Sequence, residues 1–252
     1  MNTPDEQVNM IIAAGATRVP VVACGPGWLV AEKPCGMSIH NDPGGDLCSL
    51  ALAAVRAGRL PAVGHGLAAI HAAHRLDRDT SGLVLLAGDP KTLAGFGGQF
   101  AAQAVQKGYL ALVHGRCSGP AEPPHWAVWD WPLTAAAAGR NDPVGKGKRV
   151  SCATRWRPMA YSSHYSLIEC EPLTGRKHQI RRHAKLAGHP VVGDRRYGSA
   201  RSLAYLRRHH DFNRLALHAH FLRIRIPGDG QPTRFQSGGL PEAMRLLLDT
   251  DR

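Results

Sequence analysis

The most informative stretch of the chain reads His74-Arg75-Leu76-Asp77-Arg78-Asp79-Thr80-Ser81-Gly82. An apolar, strand-like run at residues 83–87 follows it at once. A charged loop that leads directly into a strand is held at the end of a sheet, where sites for chemistry are often built. Asp77, a carboxylate between two arginines, is therefore the first candidate for a functional group.

Several roles are open to Asp77 on these residues alone. It could act as a nucleophile or a general base steadied by an arginine. It could equally form an ordinary surface ion pair with Arg75 or Arg78. Asp79 adds a third alternative, a carboxylate pair like that of glycosidases, although side chains two positions apart in a loop can point apart.

The charge balance points to a polyanionic partner. The 252 residues carry 31 Lys and Arg against 19 Asp and Glu, a formal net charge of +12. A basic surface speeds encounters with polyanions, so RNA or DNA is the first expectation and an anionic membrane surface the second. No apolar run approaches the ~20 residues that a membrane-spanning helix needs.

The location expected from the sequence is the cytoplasm. The first residues, Met-Asn-Thr-Pro-Asp-Glu, lack the basic segment and apolar core of a secretory signal. The six cysteines are widely scattered without a Cys-x-x-Cys pair, which is typical of reduced thiols.

Predicted strands and helices are interleaved without a strict βαβ rhythm, which favours an α+β fold. We expect an N-terminal extension over residues 1–24, with a short helix strapped onto the domain, and one catalytic domain over residues 25–252. Asp89 and Pro90 have the pattern of a helix start, a capping carboxylate followed by a proline.

A second cluster, residues 174–183, reads Thr-Gly-Arg-Lys-His-Gln-Ile-Arg-Arg-His. If Thr174 caps a helix that begins near His178, the helix N-terminus and the flanking Arg176 and Lys177 would bind an anion. Arg181 would share a helix face with His178. The alternative is a solvated basic face, but six cationic or imidazole side chains in ten positions exceed what solubility needs.

Other candidate sites are less specific. Tyr109 begins an expected strand, where a tyrosine is usually part of the core but could also stack on a base or move a proton. The pairs His71 and His74, and His218 and His220, lack the accompanying ligands of a standard metal site. No glycine-rich segment matches a phosphate-binding or dinucleotide-binding motif.

Taken in order, these segments resemble the motifs of the RluA-type pseudouridine synthases. The resemblance spans residues 28 to about 225 and rests on an ordered set of motifs: Glu32-Lys33-Pro34-x-Gly36, His74-Arg75-Leu76-Asp77-x-x-Thr80-Ser81-Gly82, Lys107-x-Tyr109, Thr174-Gly175-Arg176-x-His178-Gln179-Ile180-Arg181-x-His183, Gly188-His189-Pro190, Gly193-Asp194-x-x-Tyr197-Gly198 and Arg214-Leu215-x-Leu217-His218-Ala219. Glu32 is a departure, because Asn is common there in relatives.

The resemblance implies an enzyme that isomerises uridine in RNA to pseudouridine without a cofactor or a metal. The implied fold is the pseudouridine synthase catalytic domain, a long, mixed, mostly antiparallel sheet with flanking helices and a basic central cleft. By motif position, Asp77 is the catalytic aspartate, Tyr109 stacks on the base, and Arg181 pairs with the catalytic carboxylate. The implied partner is a ribosomal or transfer RNA stem-loop, bound by a monomer and without a membrane.

Seven residues are expected to bind RNA: Lys33, Arg75, Arg176, Lys177, His178, Arg182 and Lys185. Arg75 is the candidate to fill the gap left when the target base is flipped out. Many relatives carry an extra N-terminal RNA-binding domain, for which the residues before the first strand leave no room. Basic segments at residues 146–149, 176–185 and 195–208 are therefore the expected RNA surfaces.

Two points stay open at this stage. Asp77 could attack C1′ of the ribose or remove a proton from C2′ to start an elimination. The chain could also be a non-catalytic RNA-binding protein on the same fold, or a glycosidase or nucleosidase that uses Asp77 with Asp79.

Overall fold

The computed structural model describes residues 10–14, 17–119, 126–136 and 139–251. Over these residues the elements are, in chain order, β1 (Ile11–Ala14), β2 (Thr17–Gly25), β3 (Trp28–Lys33), α1 (Leu47–Arg56), a 3-10 turn (Pro61–Val63), β4 (His71–Ala72), β5 (Ser81–Ala87), α2 (Pro90–Ala101), β6 (Gln106–His114), β7 (Ala127–Trp129), β8 (Leu133–Thr134), β9 (Arg149–Val150), β10 (Thr154–Tyr161), β11 (Tyr165–Pro172), α3 (Gln179–Leu186), α4 (Ala200–His210), β12 (Leu217–Ile224), β13 (Thr233–Gln236) and α5 (Glu242–Thr250).

The chain divides into two compact units. Unit 1 comprises residues 1–106 and 219–237, and unit 2 comprises residues 107–218 and 238–252. In unit 1 the strand order is β1-β2-β3-β5-β12, with β4 beside β5 and β13 beside β12. The pairs β1–β2, β2–β3, β3–β5, β4–β5 and β12–β13 are antiparallel.

The sheet of unit 1 is covered on both faces, which explains the unbroken apolar run of β5. All seven residues of β5 are buried. Val84 and Leu86 pack in one core cluster with buried residues of α1, such as Leu50. Leu83 and Leu85 pack in another with Phe96 of α2. A strand that is buried on both faces reads as continuously hydrophobic rather than alternating.

Unit 2 is built on four antiparallel strands. Strands β6, β11, β10 and β7 lie side by side in that order, and β8 pairs with β9 in a separate small sheet. Its core joins strand residues such as Leu112 and Ile168 to Ile180 of α3, Leu206 of α4 and Met244 of α5. Helices α4 and α5 are therefore held by apolar side chains, whereas α3 also buries polar ones.

The N-terminal expectation needs a correction. Residues 11–14 and 17–25 form strands β1 and β2 rather than a helix, and residues 1–9 lie outside the described part of the chain. Val19 and Val21 of β2 are buried in the core of unit 1, so hydrogen bonding and burial in the sheet decide the conformation. The domain boundary expected after residue 24 stays a prediction, and β2 runs through that position.

Two further expectations are met. The antiparallel strand pairs and separate helices confirm the α+β class. Helix α2 starts at Pro90 with Asp89 as its cap, whose carboxylate accepts the Thr92 N–H at 2.9 Å. Among the described residues, no helix is long and apolar enough to span a bilayer.

Candidate active site

Asp77 lies in unit 1, in the loop that joins β4 to β5. The buried ammonium group of Lys33 holds this loop, donating hydrogen bonds of 2.9 Å to the carbonyl oxygens of Pro34, Met37 and Arg78. The backbone of Lys33 is also paired with Gly82 between β3 and β5. The Lys33 side chain therefore joins the turn after β3 to Arg78, the residue that follows Asp77.

The turn after β3 and the Asp77 loop are joined by three further bonds. The Gly36 N–H donates to the Arg78 carbonyl at 3.0 Å, and the Arg78 Nε donates to the Gly36 carbonyl at 2.8 Å. The Cys35 thiol donates to the Asp79 carbonyl at 2.9 Å. Arg78, through its carbonyl and its guanidinium, and Asp79, through its carbonyl, thus hold the loop of Asp77, for which the sequence offered them as partners.

Gly82 is required where the loop enters β5. Its φ is +110°, and a Cβ there would lie 2.2 Å from the Ala219 carbonyl oxygen and 2.5 Å from the Ala219 nitrogen. Any larger residue would be strained and would push β5 from the backbone of β12. The glycine that ends the Asp77 motif therefore sets the close approach of two strands.

His74 anchors the other end of the loop. Its Nε2 accepts the Leu85 N–H at 3.1 Å, and its ring lies 5.1 Å from the Phe100 ring. The neighbouring Ala73 N–H donates to the Leu85 carbonyl at 2.9 Å. Because Nε2 is the acceptor, the imidazole proton of the neutral ring is on Nδ1. His74 thus ties the start of the loop to β5.

We expect Lys33→Met to loosen the Asp77 loop. The substitution keeps the apolar stem but leaves three carbonyl oxygens without their donor, which costs about 2–4 kcal/mol of stability. The measurement is the free energy of unfolding in urea together with the rate of the reaction that depends on Asp77, and both should fall. Lys91→Met, at an exposed position of the same unit, is the matched control and should change neither. An unchanged urea midpoint for Lys33→Met would contradict this account.

Arg181 lies in unit 2 and is held by a carboxylate that the sequence did not single out. Its Nε and Nη2 donate to the two oxygens of Asp194 at 2.7 and 2.9 Å, and both side chains are buried. Asp194 also accepts the backbone N–H groups of Arg196 and Tyr197. Burial alone would raise the pKa of Asp194, but Arg181 and these N–H groups outweigh it and lower the pKa below its ordinary value.

The segment around Asp194 shows why its glycines are needed. A Cβ at Gly193, where φ is +74°, would lie 1.9 Å from the Arg214 carbonyl oxygen, and one at Gly198 would lie 2.5 Å from the Asp194 carbonyl oxygen. The Tyr197 ring lies 5.3 Å from the Arg181 guanidinium. The signal for this arrangement was present in the motif Gly193-Asp194-x-x-Tyr197-Gly198, but only contacts assign Asp194 to Arg181.

The start of α3 differs from the expected one. Thr174 does not cap the helix; its hydroxyl donates to the Gln179 Oε1 at 2.7 Å. The cap residue is His178, in the left-handed conformation with φ 55° and no side-chain capping bond. The His178 Nδ1 lies 3.0 Å from the Tyr197 hydroxyl. His178 therefore contacts the tyrosine whose ring packs on Arg181. Its left-handed backbone conformation is uncommon for a residue other than glycine.

Half of the basic cluster at residues 174–183 points inward. Arg181, Arg182 and His183 are buried. Arg182 donates to the carbonyl oxygens of Thr134, Pro143, Val144 and Lys177. The His183 ring lies within 3.0 Å of the Thr154 hydroxyl and the Trp131 carbonyl, and burial lowers its pKa.

These contacts correct two of the expected RNA contacts. Lys33 and Arg182 have no exposed surface, so neither side chain can reach a phosphate in this conformation. Both act instead as buried donors to backbone carbonyl oxygens that come from several segments. Of the remaining candidates, Arg75, Arg176 and Lys177 are exposed and His178 and Lys185 are half-buried, so their role in RNA binding stays a prediction.

Tyr109 lies on β6 of unit 2, opposite Cys170 of β11. It is half-buried and packs against the core of that unit. Burial lowers the pKa of the neighbouring Lys107 ammonium group. Tyr109 is thus partly accessible, and its role as a stacking residue stays a prediction. Among the described residues, no group of three His, Cys, Asp or Glu side chains could hold a metal ion.

Comparison with known proteins identifies the family. The family model described as RNA pseudouridylate synthase matches residues 27–186. The chain belongs to this family. The predicted family and enzyme class, a pseudouridine synthase and thus an isomerase, are confirmed.

Curated relatives include enzymes named for two kinds of RNA. The pseudouridine synthase is 35% identical over 227 residues to "Ribosomal large subunit pseudouridine synthase D" of Zymomonas mobilis, covering 87% of this chain and 68% of that protein. It is 31% identical over 226 residues to "tRNA pseudouridine synthase C" of Salmonella typhimurium, covering 84% and 82%. It spans only 60% of "Ribosomal large subunit pseudouridine synthase C" of Vibrio vulnificus, with 36% identity.

Solved structures confirm the predicted fold. "Human RNA Pseudouridylate Synthase Domain Containing 4" superposes with a TM-score of 0.66 at 24% identity, covering 91% of each chain. "Human RNA Pseudouridylate Synthase Domain Containing 1" superposes with a TM-score of 0.65 at 23% identity, covering 90% of this chain and 86% of the human one. The basic central cleft expected with this fold stays a prediction.

Proposed function

We propose that this pseudouridine synthase isomerises specific uridines in structured ribosomal or transfer RNA, with Asp77 as the carboxylate that acts on the ribose. The observation that carries the proposal is the fixed Asp77 loop: a buried lysine, a required glycine and a histidine anchor hold it at the start of β5. Relatives named for ribosomal and for transfer RNA support both substrate classes.

The reaction breaks the bond between N1 of uracil and C1′, turns the base, and joins C5 to C1′ while C5 loses its proton. Substrate and product contain the same atoms, so no external redox or group-transfer partner is needed. Asp77 would hold the sugar as a nucleophile at C1′ or start an elimination by removing the C2′ proton. Both routes need Asp77 ionised at the moment of bond cleavage.

Arg181 would pair with the Asp77 carboxylate and orient it, the role that the family motif implies. Its bidentate pair with Asp194 supports this role, since a guanidinium fixed on one edge loses little freedom when it binds another anion. Tyr109 would stack on the detached uracil and could take up the C5 proton.

RNA recognition would use the exposed basic residues. Arg75, two positions before Asp77, would enter the space of the flipped nucleotide. Arg176 and Lys177, with the half-buried His178 and Lys185, would contact phosphates. We further propose that the enzyme works as a monomer in the cytoplasm, away from membranes.

The deciding experiment maps pseudouridine in RNA. Deproteinised RNA from a strain that lacks the gene is incubated with the purified protein, and carbodiimide-induced primer-extension stops are compared with those of untreated RNA. New stops at defined uridines are the expected result and identify the substrate. Binding of RNA without new stops would favour the non-catalytic alternative, and release of free uracil would favour a nucleosidase.

A further inference from the structure

The outward face of α4 carries arginines that form no ion pair with the described acidic residues. Arg201, Arg207 and Arg208 are exposed, and so is Arg195 in the turn that precedes the helix. Within the described part of the chain, none of these four side chains takes part in a hydrogen bond or an ion pair. The helix itself contains no acidic residue. Positive charge therefore accumulates on this face of unit 2.

An exposed aromatic ring lies among these charges. Tyr205 is 49% exposed, and its ring centroid lies 4.6 Å from that of His209 at an interplanar angle of 31°. Residues 201, 205 and 208 follow the i, i+4, i+7 spacing that places side chains on one face of a helix. We call Arg201, Tyr205 and Arg208 the α4 stripe. It extends ~10 Å along the helix axis.

Helix electrostatics account for one of the two arginines of the stripe but not for the other. Cations in the last turn, such as Arg207 and Arg208, interact favourably with the negative end of the helix dipole. Arg201 is the second residue of the helix, where the same dipole disfavours a cation. A positive charge kept at an unfavourable position indicates a partner that supplies negative charge.

A lipid surface fits this helix poorly. Interfacial helices insert an apolar face among the lipid headgroups, whereas Leu206 of α4 is fully buried in the core of unit 2 and Leu203 is half-buried. The face that remains combines arginines with a stacking platform. This combination is typical of surfaces that bind phosphates and an unpaired base.

We propose that the α4 stripe binds the substrate RNA strand that flanks the target uridine. Arg201 and Arg208 contact phosphates, and an unpaired base stacks on Tyr205. The helix begins three residues after Tyr197, whose ring packs on Arg181, so the chain leads from the residue that contacts the proposed catalytic arginine into the stripe. The identification of the strand as substrate rests on the proposed function; the binding of RNA by the stripe does not.

The test separates binding from isomerisation. Filter binding to bulk transfer RNA is measured over a range of salt concentrations for Arg201→Gln/Arg208→Gln and for Tyr205→Ala. The double variant is expected to raise Kd about 10-fold. The slope of log affinity against log salt should become shallower by about 1.4–1.8, which corresponds to the loss of two phosphate contacts. Tyr205→Ala is expected to raise Kd about 5-fold or more without changing the slope.

Arg245→Gln is the matched control, because Asp249 at 3.2 Å and Glu242 at 4.0 Å already offset the Arg245 charge. It should leave Kd and slope unchanged, and all variants should keep the wild-type melting temperature. On a transcript that carries the mapped uridine, turnover at saturating RNA should stay within about 2-fold, since the stripe contributes to binding alone.

Wild-type Kd and slope in the double variant would overturn the proposal. So would loss of binding to phosphatidylserine vesicles in that variant with RNA affinity intact, which would assign the stripe to a membrane. If wild-type protein binds RNA through the stripe but forms no pseudouridine, the proposed function fails and the RNA surface stands.

Discussion

Asp77→Asn is expected to lower the rate of pseudouridine formation by about 10⁴-fold or more, while RNA binding stays near the wild-type level. Asparagine keeps the size of the side chain and removes the charge that the chemistry at the ribose requires. The loop should survive the change, because it is held by Lys33, Gly82 and His74 and by the backbone bond from the Thr80 N–H to the Asp77 carbonyl at 3.1 Å.

The measurement is the single-turnover release of tritium from C5 of labelled uridine in RNA. Asp79→Asn is the matched control, since it makes the same change two residues away at an exposed position. If the carboxylates worked as a pair, as in a glycosidase, both variants would be inactive. A rate for Asp77→Asn within 10-fold of wild type would remove Asp77 from the chemistry.

The second large effect is expected at Arg181. Arg181→Met leaves the buried Asp194 carboxylate without its bidentate partner, and breaking a buried pair from one side costs about 3–5 kcal/mol of stability. Activity should fall at least about 100-fold as well, because the cation proposed to pair with Asp77 is lost. Unfolding in urea and single-turnover rates measure the two effects separately.

The stability loss should depend on pH with a definite sign. In the wild type the folded-state pKa of Asp194 is lowered, so its stabilisation is present above the ordinary pKa of about 3.9 and is lost as the pH falls through the folded-state value. Without Arg181 this stabilisation is missing. The difference in unfolding free energy between wild type and variant should therefore be largest above about pH 5 and shrink in more acidic solution.

Two further variants separate structure from catalysis. Arg155→Met breaks the less buried ion pair between Arg155 and Glu171 in the same unit and should cost less stability than Arg181→Met, because Arg155 is partly exposed to solvent. In Arg181→Met/Asp194→Asn the unpaired charge is gone, so stability should recover in part while activity stays low. Full recovery of activity in this double variant would mean that Arg181 serves the fold alone.

Local patterns in the sequence determined much of this protein. The charged loop before an apolar run placed Asp77 at the start of a buried strand, and Asp89 with Pro90 marked the start of α2. These features are local, since a cap or a strand entry depends on neighbouring residues. Each motif is short, but together the motifs extend over most of the chain in a fixed order. That order made them specific enough to indicate the family.

Tertiary structure alone decided which charged side chains face inward. Lys33 and Arg182 read as surface cations, yet each is buried because its donors meet carbonyl oxygens from distant segments, Arg78 for the first and Thr134 and Val144 for the second. Asp194 is the partner of Arg181 because folding brings the two side chains together. The sequence shows which side chains are charged, but not which hydrogen-bond acceptors the fold places beside them. A charged side chain is stable in the interior only where such acceptors are in place.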